Sequence, residues 1–155
     1  YYVRLRAKGN HGLFSGWIEP LVYYFDSTPP SVLQAAVEIH GVTSGFWQTS
    51  IQTPTFTWTP PTDNLSGVAG YQVYWGEDQN GTVSNFQVEA SFVVTTPVQE
   101  GVFNFLRVRS VDTAGNVSDW NTLFAFKYVG ADKVVSPVGK VVTYLVAERL
   151  SLIHI

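Results

Sequence analysis

One hundred and fifty-five residues of 17.2 kDa suffice for one complete domain flanked by parts of others. Hydrophobic residues make up 45% and charged residues 14%, which excludes a disordered tail, and a formal charge of −3 without a polybasic run excludes the electrostatic footprint of a nucleic-acid binder. With no Cys there are no disulfides, thiolate metal sites or cysteine catalysis, and no apolar run reaches the ~20 residues of a membrane span.

The chain opens at Tyr1 inside an alternating run, as if a strand were entered partway. Tyr2–Trp17 (YVRLRAKGNHGLFSGW) aligns without gaps on Phe105–Trp120 (FLRVRSVDTAGNVSDW), an offset of 103 residues. Arg4/Arg107, Arg6/Arg109, Gly12/Gly115, Ser15/Ser118 and Trp17/Trp120 are identical, and the apolar positions between them keep their phase. Self-similarity at a domain-sized period signals tandem domains. Residues 1–26 are therefore expected to be the C-terminal hairpin of a truncated preceding repeat, 27–130 a complete domain, and 131–149 the start of a following segment or linker. Asp26-Ser27-Thr28-Pro29-Pro30 falls at the joint, where paired prolines fix φ and remove amide donors.

Inside 27–130 the apolar period is two. Phe56/Trp58, Tyr71/Val73/Trp75, Phe86/Val88/Ala90/Phe92/Val94, Leu106/Val108 and Phe124/Phe126/Tyr128 alternate with polar neighbours, and Trp120 falls on the phase continued by Phe124. Breakers at Pro60-Pro61, Ser66-Gly67, Asn80-Gly81, Gly101 and Ala114-Gly115-Asn116 separate the runs. The expected fold class is all-β, a sandwich of about seven antiparallel strands, because each one-faced sheet must bury its apolar side on another. The final six residues, Leu150-Ser151-Leu152-Ile153-His154-Ile155, match the translation of a transposase adapter used in sequencing libraries. They read as an adapter-derived scar on a metagenomic fragment.

Trp58 within TFTWTPP, the strand VAGYQVYW, and LRVRSVD before an AGN turn resemble the B, C and F strands of a fibronectin type III domain. The chain resembles more closely the bacterial Ig-like or fibronectin-like repeats that carry DxAGNxSxW. That resemblance implies a non-catalytic structural or adhesive module in a tandem-repeat protein, extracellular or at the cell surface, whose partners are neighbouring repeats, a polysaccharide or another surface protein. Asn104 stands where the family usually places its corner tyrosine.

No catalytic residue, cofactor site or metal site is expected. Asp112-Thr113-Ala114-Gly115-Asn116, Asp63-Asn64 with Ser66-Gly67, and Glu77-Asp78 with Asn80-Gly81 could each supply calcium oxygens, yet none has the ordered spacing of an EF-hand loop, and Asp and Asn cap tight turns readily. His11 and His40 have no acidic partner at a characteristic spacing, and GxSxG and phosphate-cradling glycine loops are absent. Asn64-Leu65-Ser66, Asn80-Gly81-Thr82 and Asn116-Val117-Ser118 match the glycosylation acceptor pattern at expected turns. Most aromatics belong to inward phases. Left over as candidates for a ligand or interface surface are Trp47, Tyr74, Phe103 and Phe105, the last two beside Arg107 and Arg109. An accessory module of a polysaccharide-degrading enzyme, carbohydrate-binding or not, is the alternative function.

Overall fold

The structure is a computed structural model that describes residues 1–130 and, beyond them, one short strand pair. The chain is all-β. In order, β1 (Tyr2–Leu5) and β2 (Ile18–Val22) form a hairpin. Then come β3 (Ala36–Glu38), β4 (Trp47–Gln48), β5 (Thr55–Trp58), β6 (Val68–Gly76), β7 (Ser91–Val93), β8 (Phe103–Asp112) and β9 (Asn121–Tyr128). The short strands β10 (Val134–Val135) and β11 (Val141–Val142) pair with each other. The adapter-like residues 150–155 and most of 131–149 lie outside the described residues. Among the described residues no helix is long and apolar enough to cross a membrane.

Strands β3 to β9 form a sandwich of two sheets, ordered β3-β5-β7 and β4-β9-β8-β6. The alternation that defines each strand also sets its buried face. Along β8, Asn104, Leu106, Val108, Ser110 and Asp112 are buried while Phe103, Phe105, Arg107 and Arg109 face the other way. Phe56 on β5 and Leu106, Val108 and Phe126 on the opposite sheet are fully buried between the layers. The Phe56 ring lies 5.0 Å from Phe124, 5.3 Å from Trp75 and 6.3 Å from Phe126, so the two sheets meet around it.

Three details depart from the alternation read in sequence. Strand β4 runs parallel to β9, with Trp47 opposite Lys127 and Gln48 opposite Tyr128, so one pair in the sandwich is not antiparallel. Of the run Phe86 to Val94 only Ser91–Val93 is strand; Phe86 and Val88 are exposed. This segment changes sheets, pairing first with β6 through Gln87 and Tyr71 and then with β5 through Phe92 and Phe56. The crossing needs Gly70, since a Cβ there would lie 2.3 Å from the Gln87 carbonyl oxygen. Third, Trp120 does not share the buried phase of Phe124. The β8–β9 register shifts between Leu106, opposite Phe124, and Arg107, opposite Thr122. The extra residue Leu123 is buried beside Phe124, and the bulge turns Trp120 onto the outer face.

The two self-similar segments adopt one geometry. Ser15 accepts from the Ala7 amide through Oγ at 2.9 Å, and Ser118 accepts from the Ser110 amide in the same way at 3.0 Å. The turns match as well, with φ of 81° at Gly12 and 95° at Gly115, both in the left-handed region that glycine tolerates. Arg6 lies 4.5 Å from the Trp17 ring and Arg109 lies 5.1 Å from Trp120. The first hairpin is exposed along both strands.

Candidate functional site

The four leftover aromatics come together on the outer face of the β4-β9-β8-β6 sheet. Trp47 packs on Phe103 with ring centroids 4.9 Å apart and a 53° tilt, and the Lys127 ammonium lies 4.9 Å over the Phe103 ring. Phe105 is opposite Gly76 and Ala125, and Tyr74 is opposite Arg107. The face continues into Gln72, Arg109 and Trp120, where Arg109 Nε donates to Gln72 Oε1 at 2.7 Å.

Local packing engages most of these groups. The Tyr74 hydroxyl accepts from the Asp78 amide at 3.1 Å, and its ring lies so close under Gly81 that a Cβ there would meet it at 2.1 Å. Arg107 Nη1 holds the same loop by donating to the Gly81 carbonyl at 2.8 Å. Sugar rings dock on flat, open aromatic faces, whereas Tyr74 is roofed by its own loop and Trp47 is tilted against Phe103. Trp47 also lines an open cleft of about 390 Å³ with His40, Phe46, Gln48 and Ser50. Phe46 gives no signal in the sequence, since it lies in a Gly-rich connection with no strand period, and His40, expected to lack an acidic partner, has one in Glu38 two residues before it.

Under that cleft sits a buried carboxylate. Glu38 accepts from the His40 amide (2.8 Å), His40 Nδ1 (2.8 Å), the Val42 amide (3.3 Å) and the Thr55 amide (3.2 Å). Desolvation, the largest single influence, pushes its pKa up, but the His40 side chain and the three amides together outweigh it and hold the carboxyl below its ordinary value.

The third feature joins loops that look independent in sequence. Asp26, Asp63 and Asp112 each present a carboxylate oxygen within 4.8 Å of the others. Asp112, 2% exposed, accepts from the Asn116 amide at 2.7 Å and from Asn116 Nδ2 at 2.8 Å. Asp63 Oδ2 accepts from the amides of Leu65 and Gly67, and Asp26 accepts from the amides of Thr28 and Ser66. Asn116 Nδ2 also reaches the Asp26 carbonyl at 3.3 Å, tying the proline joint to the domain. The Ser66 hydroxyl beside Asp26 is the main reason its carboxyl lies below the ordinary value, followed by the Thr28 amide. Asp63 Oδ1 is buried without a hydrogen-bond partner. Among the described residues the ion pairs are Arg4–Glu19 and His40–Glu38, so no basic side chain pairs with this trio. Each loop read alone suggests only turn capping, and the capping bonds are present, but the fold adds the juxtaposition.

No protein-family model matches the sequence. The chain is similar to Exoglucanase A of Cellulomonas fimi, 42% identical over 64 residues. The match covers 40% of this chain and 7% of that protein, so it spans a small part of a much longer relative.

Proposed function

We propose that this chain is a non-catalytic module of an extracellular, polysaccharide-degrading protein, and that it serves there as a spacer between neighbouring domains. The similarity to a segment of an exoglucanase carries the reading. The fold supports it: the sandwich buries its chemistry-bearing residues in turns and packing, as a fibronectin type III-like or Ig-like bead does, and residues 1–25 repeat the closing hairpin of 103 residues later as the end of a preceding bead would. A close-packed sandwich resists proteolysis and a proline joint limits bending, which is what a spacer contributes.

The carbohydrate-binding form of an accessory module assigns sugar binding to the outer face, with Trp47 as its best-placed ring. Incubation of the full chain with insoluble cellulose and with soluble β-glucans separates the readings. The spacer reading expects neither retention nor release of reducing sugar. Retention that Trp47→Ala abolishes without changing Tm would replace the spacer with a binding module, and hydrolysis that survives repurification would refute a non-catalytic role.

A further inference from the structure

We propose that Asn80 is an N-glycosylation acceptor, the one among the chain's three Asn-x-Ser/Thr triplets that the folded domain presents to an enzyme. The triplet makes two demands on a folded protein: the carboxamide nitrogen has to be reachable, and the hydroxyl two residues on has to be free for recognition. All three triplets meet the pattern in sequence, and the structure separates them.

Asn116-Val117-Ser118 fails on both groups. Asn116 Nδ2 donates to Asp112 Oδ2 at 2.8 Å and to the Asp26 carbonyl at 3.3 Å. The buried Ser118 hydroxyl accepts from the Ser110 amide and hydrogen-bonds the Ser110 hydroxyl, each at 3.0 Å. Asn64-Leu65-Ser66 fails on the second group, because Asn64 is exposed but Ser66 Oγ is buried beside the Asp26 carboxylate. In Asn80-Gly81-Thr82 the glycine is buried, Asn80 and Thr82 on either side of it are exposed, and no hydrogen bond among the described residues engages either side chain.

The loop produces this display by spending its backbone. The Asp78 amide donates to the Tyr74 hydroxyl, Asp78 Oδ1 accepts from the Asn80 amide at 2.8 Å, and the Gly81 amide donates to the Asp78 carbonyl at 3.0 Å. Arg107 holds the Gly81 carbonyl, and the Tyr74 ring leaves no room for a Cβ at Gly81. The middle of the triplet is thus pinned to the sheet while its two recognised groups stay open. Asp78 also sets an exposed carboxylate two residues before the acceptor, where a cationic enzyme subsite can hold it; Thr62 and Ala114 occupy that place in the other triplets.

The donor is a polyprenyl-diphosphate-linked oligosaccharide. Asn80 Nδ2 bonds to the anomeric carbon, the bond from that carbon to the diphosphate oxygen breaks with its electron pair leaving on the polyprenyl diphosphate, and Nδ2 gives up one proton. Nothing is oxidised or reduced. The attached sugar stands beside β6, the edge strand of its sheet, and beside the exposed Val83 and Phe86. A bulky hydrophilic group there blocks strand addition at the edge and protease access to the loop. This inference goes beyond the spacer reading and does not rest on it.

Incubation of the folded full chain with a purified oligosaccharyltransferase and its lipid-linked oligosaccharide, read by intact mass and peptide mapping, tests it in vitro. One oligosaccharide per chain is expected, on Asn80. Asn80→Gln and Thr82→Ala should abolish attachment, and Asn64→Gln should leave it unchanged. Asp78→Asn keeps an acceptor for the Asn80 amide but removes the charge, and should slow attachment at least about tenfold, the worth of one charge-assisted hydrogen bond. No attachment to the folded wild type would overturn the site, whether or not a peptide of residues 75–86 is modified. Attachment at Asn64 or Asn116 of the folded chain at a comparable rate would overturn the selection among triplets, and an undiminished rate in Asp78→Asn would overturn the role given to its charge. Should a variant fail to fold, the peptide map of the wild type decides alone.

Discussion

Replacing Glu38 by Gln removes one negative charge from a side chain that is fully buried, without changing its shape. Oε1 receives His40 Nδ1 and the Thr55 amide, and Oε2 receives the amides of His40 and Val42. A glutamine can turn its carbonyl oxygen toward only one of these pairs; with its NH2 toward His40 Nδ1, which accepts in its other tautomer, the Thr55 amide alone is left facing a donor. Each buried donor left unsatisfied costs about 1–3 kcal/mol, which puts the loss for Glu38→Gln at about 1–3 kcal/mol near neutral pH. In a domain of about 100 residues that corresponds to a Tm lower by roughly 5–20 °C. The pH dependence supplies a second check. Because the folded carboxyl lies below its unfolded value, its contribution is complete above an unfolded pKa of about 4.3 and is lost as pH falls through the folded pKa. Urea melts of wild type and variant should therefore differ most at pH 7 and converge as pH falls through the folded pKa. A difference under about 1 kcal/mol at pH 7, or one that widens on acidification, would refute the assignment of Glu38 as a hydrogen-bonded anion.

Phe56→Ala should be among the costliest core truncations, about 4–5 kcal/mol in chemical denaturation, because its ring meets three others and is fully buried. Trp58→Ala should cost less, since Trp58 is 7% exposed and meets a single ring, Tyr71, edge-on at 5.3 Å. Equal losses would place the centre of the core elsewhere. Gly70→Ala should destabilise by more than the few tenths of a kcal/mol typical of a strand glycine, because the added methyl meets the Gln87 carbonyl oxygen at 2.3 Å. The Tyr71 amide, which donates to the Gln87 carbonyl at 2.8 Å, should lose hydrogen-exchange protection first in that variant.

The sandwich was legible because its information is local. A strand with one buried face announces itself by alternation, and β5, β6, β8 and β9 all carry large apolar residues at every second position. What alternation cannot carry is a change of phase. The bulge at Leu123 is a matter of β8–β9 register, and it moves Trp120 from the expected core to the outer face, beneath Arg109. Phe86 and Val88 alternate as well as any strand, but the segment departs for the other sheet at Gly70 before their face can be covered. The two-residue β4 is too short to show a period at all, so Trp47 read only as an unassigned ring.

The carboxylate cluster marks the opposite limit. Asp26 read as part of a proline joint, Asp63 and Asp112 as turn residues, and each reading describes bonds that exist: Thr28 to Asp26, Gly67 to Asp63, Asn116 to Asp112. Turn chemistry and cation chemistry use the same residue types, so neither loop alone could discriminate between them. What the separate loops cannot show is their meeting, three carboxylates within 4.8 Å of one another. The internal repeat was legible in the sequence: the first copy of the hairpin keeps the glycine that the turn requires, Gly12 for Gly115, and dispenses with the aspartate and asparagine that it does not. Where two segments share a backbone and differ in polar side chains, the shared residues report on folding. The unshared ones are where a function peculiar to one copy has to be sought.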